Sequence, residues 1–260
     1  MKRIAAITLC AQGLGVAKRI KAGLVDVDLF AHASVERAGR GVRKFDRVLA
    51  LTGQIFGRYD GLVYIAPCGV VVRAVAGCVR NKLEDPAVVV LDVGARYAVS
   101  LVGGHEAGAN ALALQIANLT GAEPVISTTT EAAKDIIVGV GCRKGVAAAR
   151  IEDAVRAALQ EAGAALDRVR LIASADVKAR EPGLIRAAAQ LGVPLRIVAS
   201  ETIRTFAGAF ETSAFVMEKV NVPAVAEPAA LLAGRRTSLL LAKRTYPGVT
   251  IAVARESFLS

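Results

Sequence analysis

Tryptophan is absent from this chain of 260 residues, and aromatic residues together make up only 4% of it. Proteins that hold single-stranded nucleic acid stack the bases on aromatic side chains, so the composition provides poorly for that function. Cysteine is also scarce, with four residues at wide intervals and no CxxC pair. This spacing indicates neither a zinc knuckle nor a disulfide framework, and it favours a reducing cytoplasm.

Long apolar runs are missing as well. No run reaches the roughly 20 residues that a membrane-spanning helix needs, because a charged residue interrupts each candidate. A basic start precedes the short apolar run that ends at Cys10, as in a signal peptide, but Gln12-Gly13 follows at once. We therefore interpret this run as the first strand of a cytoplasmic protein without membrane contact.

The charge balance is strongly basic, with 33 Lys and Arg against 23 Asp and Glu and a formal net charge of +10. Such a surface favours an anionic partner, and charge alone leaves open nucleic acid, a membrane face or a small polyanion. Hydrophobic residues make up 54% of the chain, enough to bury a sizeable core. The basic residues are scattered, whereas a nucleic-acid-binding tail would cluster them.

Short Val, Ile, Leu and Ala runs alternate with longer alanine-rich segments, a pattern typical of an α/β sheet covered on both faces. The clearest helix is predicted over Glu106–Leu119. The alternation restarts at Ile136, and a less regular stretch runs to about Asn221. Polar, threonine-rich residues over Ser127–Asp135 separate the two halves.

We therefore predict two three-layer α/β domains with mainly parallel sheets. The predicted domains cover residues 1–127 and 136–260, and residues 128–135 form the linker.

The first candidate site is the glycine turn at Gly103-Gly104, between a strand and a helix. Backbone N–H groups at a helix start suit a carboxylate or phosphate at the carboxyl edge of a parallel sheet. His105 is the candidate for proton transfer, because histidine titrates nearest neutrality. Alternatively, His105 caps the helix and Glu106 is a first-turn carboxylate favoured by the dipole. A zinc-protease motif does not fit, since Ala109 stands where the second histidine belongs.

The second candidate site is the loop Gly139–Gly145, which again leads from a strand to a helix. Its glycines permit close backbone approach, and Arg143-Lys144 favours an anion. The spacing also resembles a loosened dinucleotide fingerprint, for which Asp176 would supply the ribose-binding acid. A further alternative is Cys142 as a nucleophile, against its being a small residue in a tight turn.

Two more segments carry polar residues at the ends of predicted elements. Asp176, Lys178 and Glu181 follow a strand, and they form either a binding loop or a solvated loop with Glu181 at a helix start. Glu227 precedes Pro228, where a helix-start carboxylate is the stronger interpretation. His32 follows a strand in isolation and is expected to be structural.

Together these segments resemble the cobalt-precorrin 5A hydrolase family of cobalamin biosynthesis, known as CbiG. The amino-terminal resemblance rests on Gly103–His105, Gly108–Asn110 and Pro124–Thr130, and the carboxyl-terminal one on motifs from Gly139 to the final strand, which also resemble CobE. It covers nearly the whole chain. Ala107 replaces an expected glycine, and the family's middle segment between the halves is missing.

The resemblance implies hydrolysis of the ring-A δ-lactone of cobalt-precorrin 5A and release of acetaldehyde to give cobalt-precorrin 5B. The expected catalytic residues are His105 and Glu106. The expected substrate-binding residues are Gly103, Gly104, Asn110, Thr128, Thr129, Gly139, Gly141, Cys142, Arg143, Lys144, Asp176, Lys178, Glu181 and Glu227.

No metal site or cofactor of the protein's own is expected, because the substrate carries the cobalt. The expected partners are this anionic cobalt-tetrapyrrole and neighbouring methyltransferases of the pathway, and neither nucleic acid nor membrane. We expect the binding segments to line a cleft between the halves. The alternatives are a non-catalytic tetrapyrrole carrier, a nicotinamide-dependent enzyme that uses the Gly139–Gly145 loop, and, supported by charge alone, a nucleic-acid binder.

Overall fold

The computed structural model of the protein describes residues 3–206 and 225–258. The chain divides into two compact units, Met1–Thr128 and Thr129–Ser260. Part of the irregular stretch predicted up to Asn221 lies outside the described residues. In the part of the chain that is described, no helix combines the length and the apolar character needed to span a membrane.

The first unit is built on a seven-stranded sheet with the order β3-β2-β1-β4-β5-β6-β7. Its strands are β1 (Ile4–Thr8), β2 (Val27–His32), β3 (Val42–Phe45), β4 (Gly61–Ile65), β5 (Ala87–Leu91), β6 (Tyr97–Val102) and β7 (Glu123–Val125). All neighbouring strands are parallel except β5 and β6, which are antiparallel.

In the described part of this unit, four α-helices cover the two faces of the sheet. They are α1 (Ala11–Gly23), α2 (Val48–Ile55), α3 (Cys68–Val75) and α4 (Ala109–Thr120). Side chains alternate between the faces along each strand, so Val63 packs in one core with residues of α1 and α4, and Tyr64 packs in the other with residues of α2 and α3. Burial on both faces explains why the central strands are continuous apolar runs.

The second unit has a five-stranded sheet with the order β10-β9-β8-β12-β11. The strands are β8 (Ile136–Cys142), β9 (Val169–Ala175), β10 (Leu195–Val198), β11 (Thr237–Tyr246) and β12 (Val249–Glu256). The first three are parallel, whereas β11 and β12 form a hairpin that pairs antiparallel with β8.

The described helices of this unit are α5 (Thr129–Ala132), α6 (Ala148–Glu161), α7 (Pro182–Leu191), α8 (Ser200–Thr205) and α9 (Ala226–Leu232). Val138 and Val140 pack in one core with residues of α6 and α7. Gly139 points to the other face, where a Cβ would lie 1.8 Å from Ala226 O of α9. The predicted architecture of two three-layer α/β domains with mainly parallel sheets is confirmed.

One predicted helix begins in the wrong place. The structure starts α4 at Ala109, whereas the sequence pattern placed the start at Glu106. Gly108 has a φ of 85°, in the left-handed region that ends a turn and cannot continue a right-handed helix. His105 and Glu106 therefore lie in the turn before α4 and are neither a helix cap nor first-turn residues.

Candidate functional site

The turn that carries His105 lies at the opposite sheet edge from the one predicted. Strand β6 runs antiparallel to β5, with Val102 beside Val88, so the end of β6 meets the beginning of β5. A Cβ on Gly103 would lie 3.1 Å from Pro86 O, just before β5. The turn is thus at the amino edge of the main parallel strands, and it lies at a carboxyl end only for the parallel pair β6 and β7.

Two backbone hydrogen bonds join the two ends of this turn. The N–H of Ala109 donates to the carbonyl of Gly103 at 3.0 Å, and the N–H of Asn110 donates to that of Gly104 at 2.9 Å. The first two N–H groups of α4 are therefore occupied. These two N–H groups are thus unavailable to the anionic ligand expected at this helix start.

Asn110 connects the turn to β6 and to the segment that follows β7. Its Oδ1 accepts a hydrogen bond from Ser100 Oγ at 2.8 Å, and its Nδ2 donates to Thr128 Oγ1 at 2.9 Å. A Cβ on Gly104 would lie 2.6 Å from Thr128 Cγ2. The structure thus brings together three of the residues predicted to bind substrate, and their contacts with one another fix the shape of the turn. Their role in substrate binding stays a prediction.

His105 and Glu106 are exposed at the surface of this turn. Glu106 forms an ion pair with Lys82 at 3.2 Å. A hydrogen bond from its own backbone N–H, the neighbouring Lys82 and His105 all lower the pKa of the Glu106 carboxyl. Among the described residues the ring of His105 has no hydrogen-bond partner. The arrangement offers a carboxylate that stays ionised beside an accessible imidazole.

The turn after β8 borders a concave site of about 770 Å³ in the second unit. Three cations line it: Arg143, Lys144 and Arg150, the last in the first turn of α6. The tip of the β11–β12 hairpin, Thr245–Gly248, also lines this site. Within the described residues none of the three cations has a carboxylate partner. This site is suited to carboxylate groups, which guanidinium and ammonium groups bind through charge-assisted hydrogen bonds.

Two hydrogen bonds hold the backbone of this cationic turn. The N–H of Arg143 donates to Gly248 O at 2.9 Å, and the N–H of Gly145 donates to Glu181 Oε1 at 3.0 Å. Gly145 has a φ of 77°, which favours glycine at this position. Glu181 is only 7% exposed. Its observed contact is thus with the turn that presents the cations.

The glycines of β8 have a packing explanation. A Cβ on Gly139 would collide with Ala226 O, and one on Gly141 would lie 2.4 Å from Thr250 Oγ1. Both glycines are needed for close packing within the unit. In a dinucleotide fingerprint, the glycines would instead let the backbone approach a pyrophosphate. Asp176 accepts hydrogen bonds from the N–H and the hydroxyl of Ser200, at the start of α8. The residues of the nicotinamide alternative are therefore committed to internal contacts.

Cys142 is half-buried at the end of β8. Burial raises the pKa of its thiol, Lys178 opposes this effect and Glu181 adds to it. A raised pKa lowers the thiolate fraction, and the thiolate is the nucleophilic form. The structure therefore disfavours Cys142 as a nucleophile. Lys178, which is half-buried, is near enough to act on this thiol electrostatically.

The remaining predicted residues have diverse surroundings. Glu227 is 4% exposed, and its Oε1 accepts the N–H of Lys243 at 2.8 Å, where β11 shifts its register against β12. Thr129 is exposed at the start of α5. His32 has Asp46 O 3.0 Å from its Nε2 and Ser34 Oγ 2.8 Å from its Nδ1, in keeping with a structural role.

Sequence reasoning missed Arg150 and the hairpin tip. Arg150 follows the predicted loop by five residues and lies in the first turn of the next helix, so its closeness in sequence was a usable signal. The hairpin tip lies about a hundred residues further along the chain, and only the pairing of β12 with β8 brings it there. A second concave site of about 530 Å³ in the first unit was also missed; it is lined by Lys18, Ser34, Glu36 and Arg37 among others.

Comparison with known proteins gives a consistent result. Residues 136–254 match the family described as "Cobalamin synthesis G C-terminus", and residues 50–131 match "Cobalamin synthesis G N-terminal". The chain is 40% identical over 129 residues to a "Cobalt-precorrin-5A hydrolase" of Salmonella typhimurium, covering 49% of this chain and 36% of that protein. A protein of the same name from Priestia megaterium is 30% identical over 138 residues, covering 52% and 37%.

A third relative is "Protein CobE" of a Sinorhizobium species, 33% identical over 128 residues. This match covers 48% of the present chain and 83% of CobE. The chain thus spans little more than a third of each hydrolase relative, but most of the shorter protein.

Proposed function

Since this chain belongs to the cobalamin synthesis G family, we propose that it hydrolyses cobalt-precorrin 5A, the substrate in the names of two relatives. In this reaction, water attacks the carbonyl carbon of the ring-A δ-lactone, and the ester C–O bond breaks to give a carboxylate and a hydroxyl group. The hydroxyl group then loses its proton, the adjacent carbon–carbon bond breaks, and acetaldehyde leaves while the ring carbon takes up a proton. The cobalt enters and leaves as part of the substrate.

The observation that carries this proposal is the cationic concave site of the second unit. The substrate is a macrocycle with acetate and propionate groups, which are carboxylates at neutral pH. Arg143, Lys144 and Arg150 converge on one concave surface without a carboxylate partner among the described residues. Ion pairs with carboxylates of the protein would neutralise such a cluster, whereas an unpaired cluster is available to a polycarboxylate ligand.

We assign the proton transfers to the turn of the first unit. His105 is exposed, and an imidazole can take a proton from the attacking water and return one to the ring carbon. Glu106, whose pKa is lowered, is the poorer base and would instead stabilise the imidazolium. The support for this assignment is the chemistry of the two side chains alone.

The test is incubation of the purified protein with cobalt-precorrin 5A, with trapping of the released aldehyde and mass analysis of the tetrapyrrole. The proposal expects stoichiometric acetaldehyde and a product that has lost the two-carbon fragment. A tetrapyrrole recovered unchanged, under conditions where one of the hydrolase relatives converts it, would contradict the proposal.

A second candidate function is a tetrapyrrole carrier without catalysis. It is favoured by the share of each relative that the chain covers, which is 83% for CobE but 36% and 37% for the two hydrolases. The same incubation separates the two candidates, because a carrier binds the substrate tightly and releases no acetaldehyde.

A further inference from the structure

We infer that Glu181 is a positioning residue, which holds the cationic turn Arg143–Gly145 in the shape that binds carboxylates. This inference rests on the proposed function, since it concerns the same anion site. It differs from the sequence expectation, in which Glu181 itself contacts the substrate or caps a helix.

The first argument comes from the place of Glu181 at the start of α7. A capping side chain at the N-cap position, usually that of Ser, Thr, Asp or Asn, accepts an N–H in the first turn of its own helix. Glu181 occupies the N-cap position but makes no such bond. Its carboxylate is directed to the N–H of Gly145, 36 residues earlier in the chain. The observed partner of the carboxylate is therefore the cationic turn and not its own helix.

The second argument comes from Gly183, two residues further on. A Cβ at this position would lie 1.9 Å from Val146 O, so the first turn of α7 abuts the backbone that follows the cationic turn. This contact is independent of the Glu181 hydrogen bond, and it requires glycine. Two adjacent features of α7 therefore hold the same stretch of backbone.

The third argument is the geometry of the turn as a whole. Its beginning is held by the bond from Arg143 N–H to Gly248 O, and its end by the bond from Gly145 N–H to Glu181. Arg143 and Lys144 are exposed, and their side chains have no carboxylate partner in the described parts of the chain. Because fixing the backbone in advance reduces the entropy lost on binding, the tethers should raise affinity for an anionic ligand.

The experiment measures the Kd of uroporphyrin, a polycarboxylate tetrapyrrole, for the full chain and its variants. Glu181→Ala removes the acceptor and should weaken binding about two- to tenfold, the equivalent of one hydrogen bond. Glu181→Gln keeps an oxygen acceptor and should stay within about twofold of the parent, since a neutral bond retains part of the charged one. Glu181→Asp keeps the charge but shortens the side chain, so it should also weaken binding. This variant keeps the inference testable if Glu181→Ala fails to fold.

Asp135→Ala is the matched control for loss of stability. Asp135 is another largely buried carboxylate, 8% exposed, and it binds Arg168 Nε at 3.0 Å just before β8 begins. It lies at the end of this strand remote from the cationic turn, so this variant should lower the melting temperature and leave the Kd unchanged.

The outcomes separate this inference from the proposed function. If Glu181→Ala and Glu181→Asp keep the parental Kd while Arg143→Ala weakens binding, the positioning role is refuted and the anion site stands. If Glu181→Gln binds as weakly as Glu181→Ala, the hydrogen bond to Gly145 is not the cause, and the inference also fails. Acetaldehyde release from the parent protein decides the proposed function independently of all these variants.

Discussion

The double substitution Arg143→Ala with Lys144→Ala tests the anion site most directly. Both side chains line the concave site in the second unit, and removing them leaves Arg150 as its only cation within the described residues. An exposed ion pair contributes about 0.2–1 kcal/mol, and a hydrogen bond to a charged group contributes up to about 3 kcal/mol. For two such contacts we expect a loss of about 1–3 kcal/mol, which is roughly 5- to 150-fold in Kd.

Uroporphyrin titrations over a range of ionic strength provide the assay. Salt shortens the Debye length from about 30 Å at 0.01 M to about 3 Å at 1 M. The affinity of the parent protein should therefore fall steeply with added salt, and that of the double variant more gently. The matched control is Arg156→Ala with Arg186→Ala, which lowers the net charge equally at exposed positions that do not line this site. Equal effects of the two double variants would refute the site and leave only a general attraction by net charge.

Three further predictions concern the chemistry and the packing. His105→Ala should lower the rate of acetaldehyde release at saturating substrate by roughly 10²–10⁴-fold. An unchanged rate would mean that another residue is the general base. Gly139→Ala should destabilise the protein by about 1–3 kcal/mol or more in urea unfolding, because its Cβ would collide with Ala226 O. Cys142, which is half-buried, should be alkylated by iodoacetamide more slowly than the exposed Cys68, and its raised pKa should shift its own pH–rate profile upward. Faster labelling of Cys142 than of Cys68 would contradict this prediction.

Strand positions were well predicted because continuous apolar runs report burial on both faces of a sheet. The apolar runs Ala87–Leu91 and Tyr97–Val102 predict strands with the bounds that the structure has, and the run Gly61–Ala66 predicts one that ends a residue earlier, at Ile65. The antiparallel direction of β6 was not predicted, although the length of the connection before it indicates that direction. Only residues 92–96 separate β5 from β6, and a parallel crossover needs a dozen or more residues. The short connection should have indicated an antiparallel pair and placed His105 at the amino edge.

The contacts that define the candidate site were beyond sequence patterns. Local spacing revealed Arg143 and Lys144 beside a helix start, but nothing in the neighbourhood of Gly145 indicates that Glu181 accepts its N–H. Asp176 and Ser200 are likewise brought together by the fold, over 24 residues. Each of these carboxylates follows a strand and precedes a helix, a position that suits ligand binding and helix capping equally well. Only the hydrogen-bond partner of the carboxylate, which the structure gives, distinguishes these two roles.

The bond between Asn110 and Thr128 determines where this chain tolerates a change of length. Thr128 is the last residue of the first unit, and its hydroxyl oxygen is held by the side chain that also fixes the His105 turn. Residues inserted after Thr128 leave this bond in place, whereas residues inserted between β7 and Thr128 displace the hydroxyl and loosen the turn. A segment of any length between the two halves is thus compatible with the same His105 turn, provided that it begins beyond this anchor.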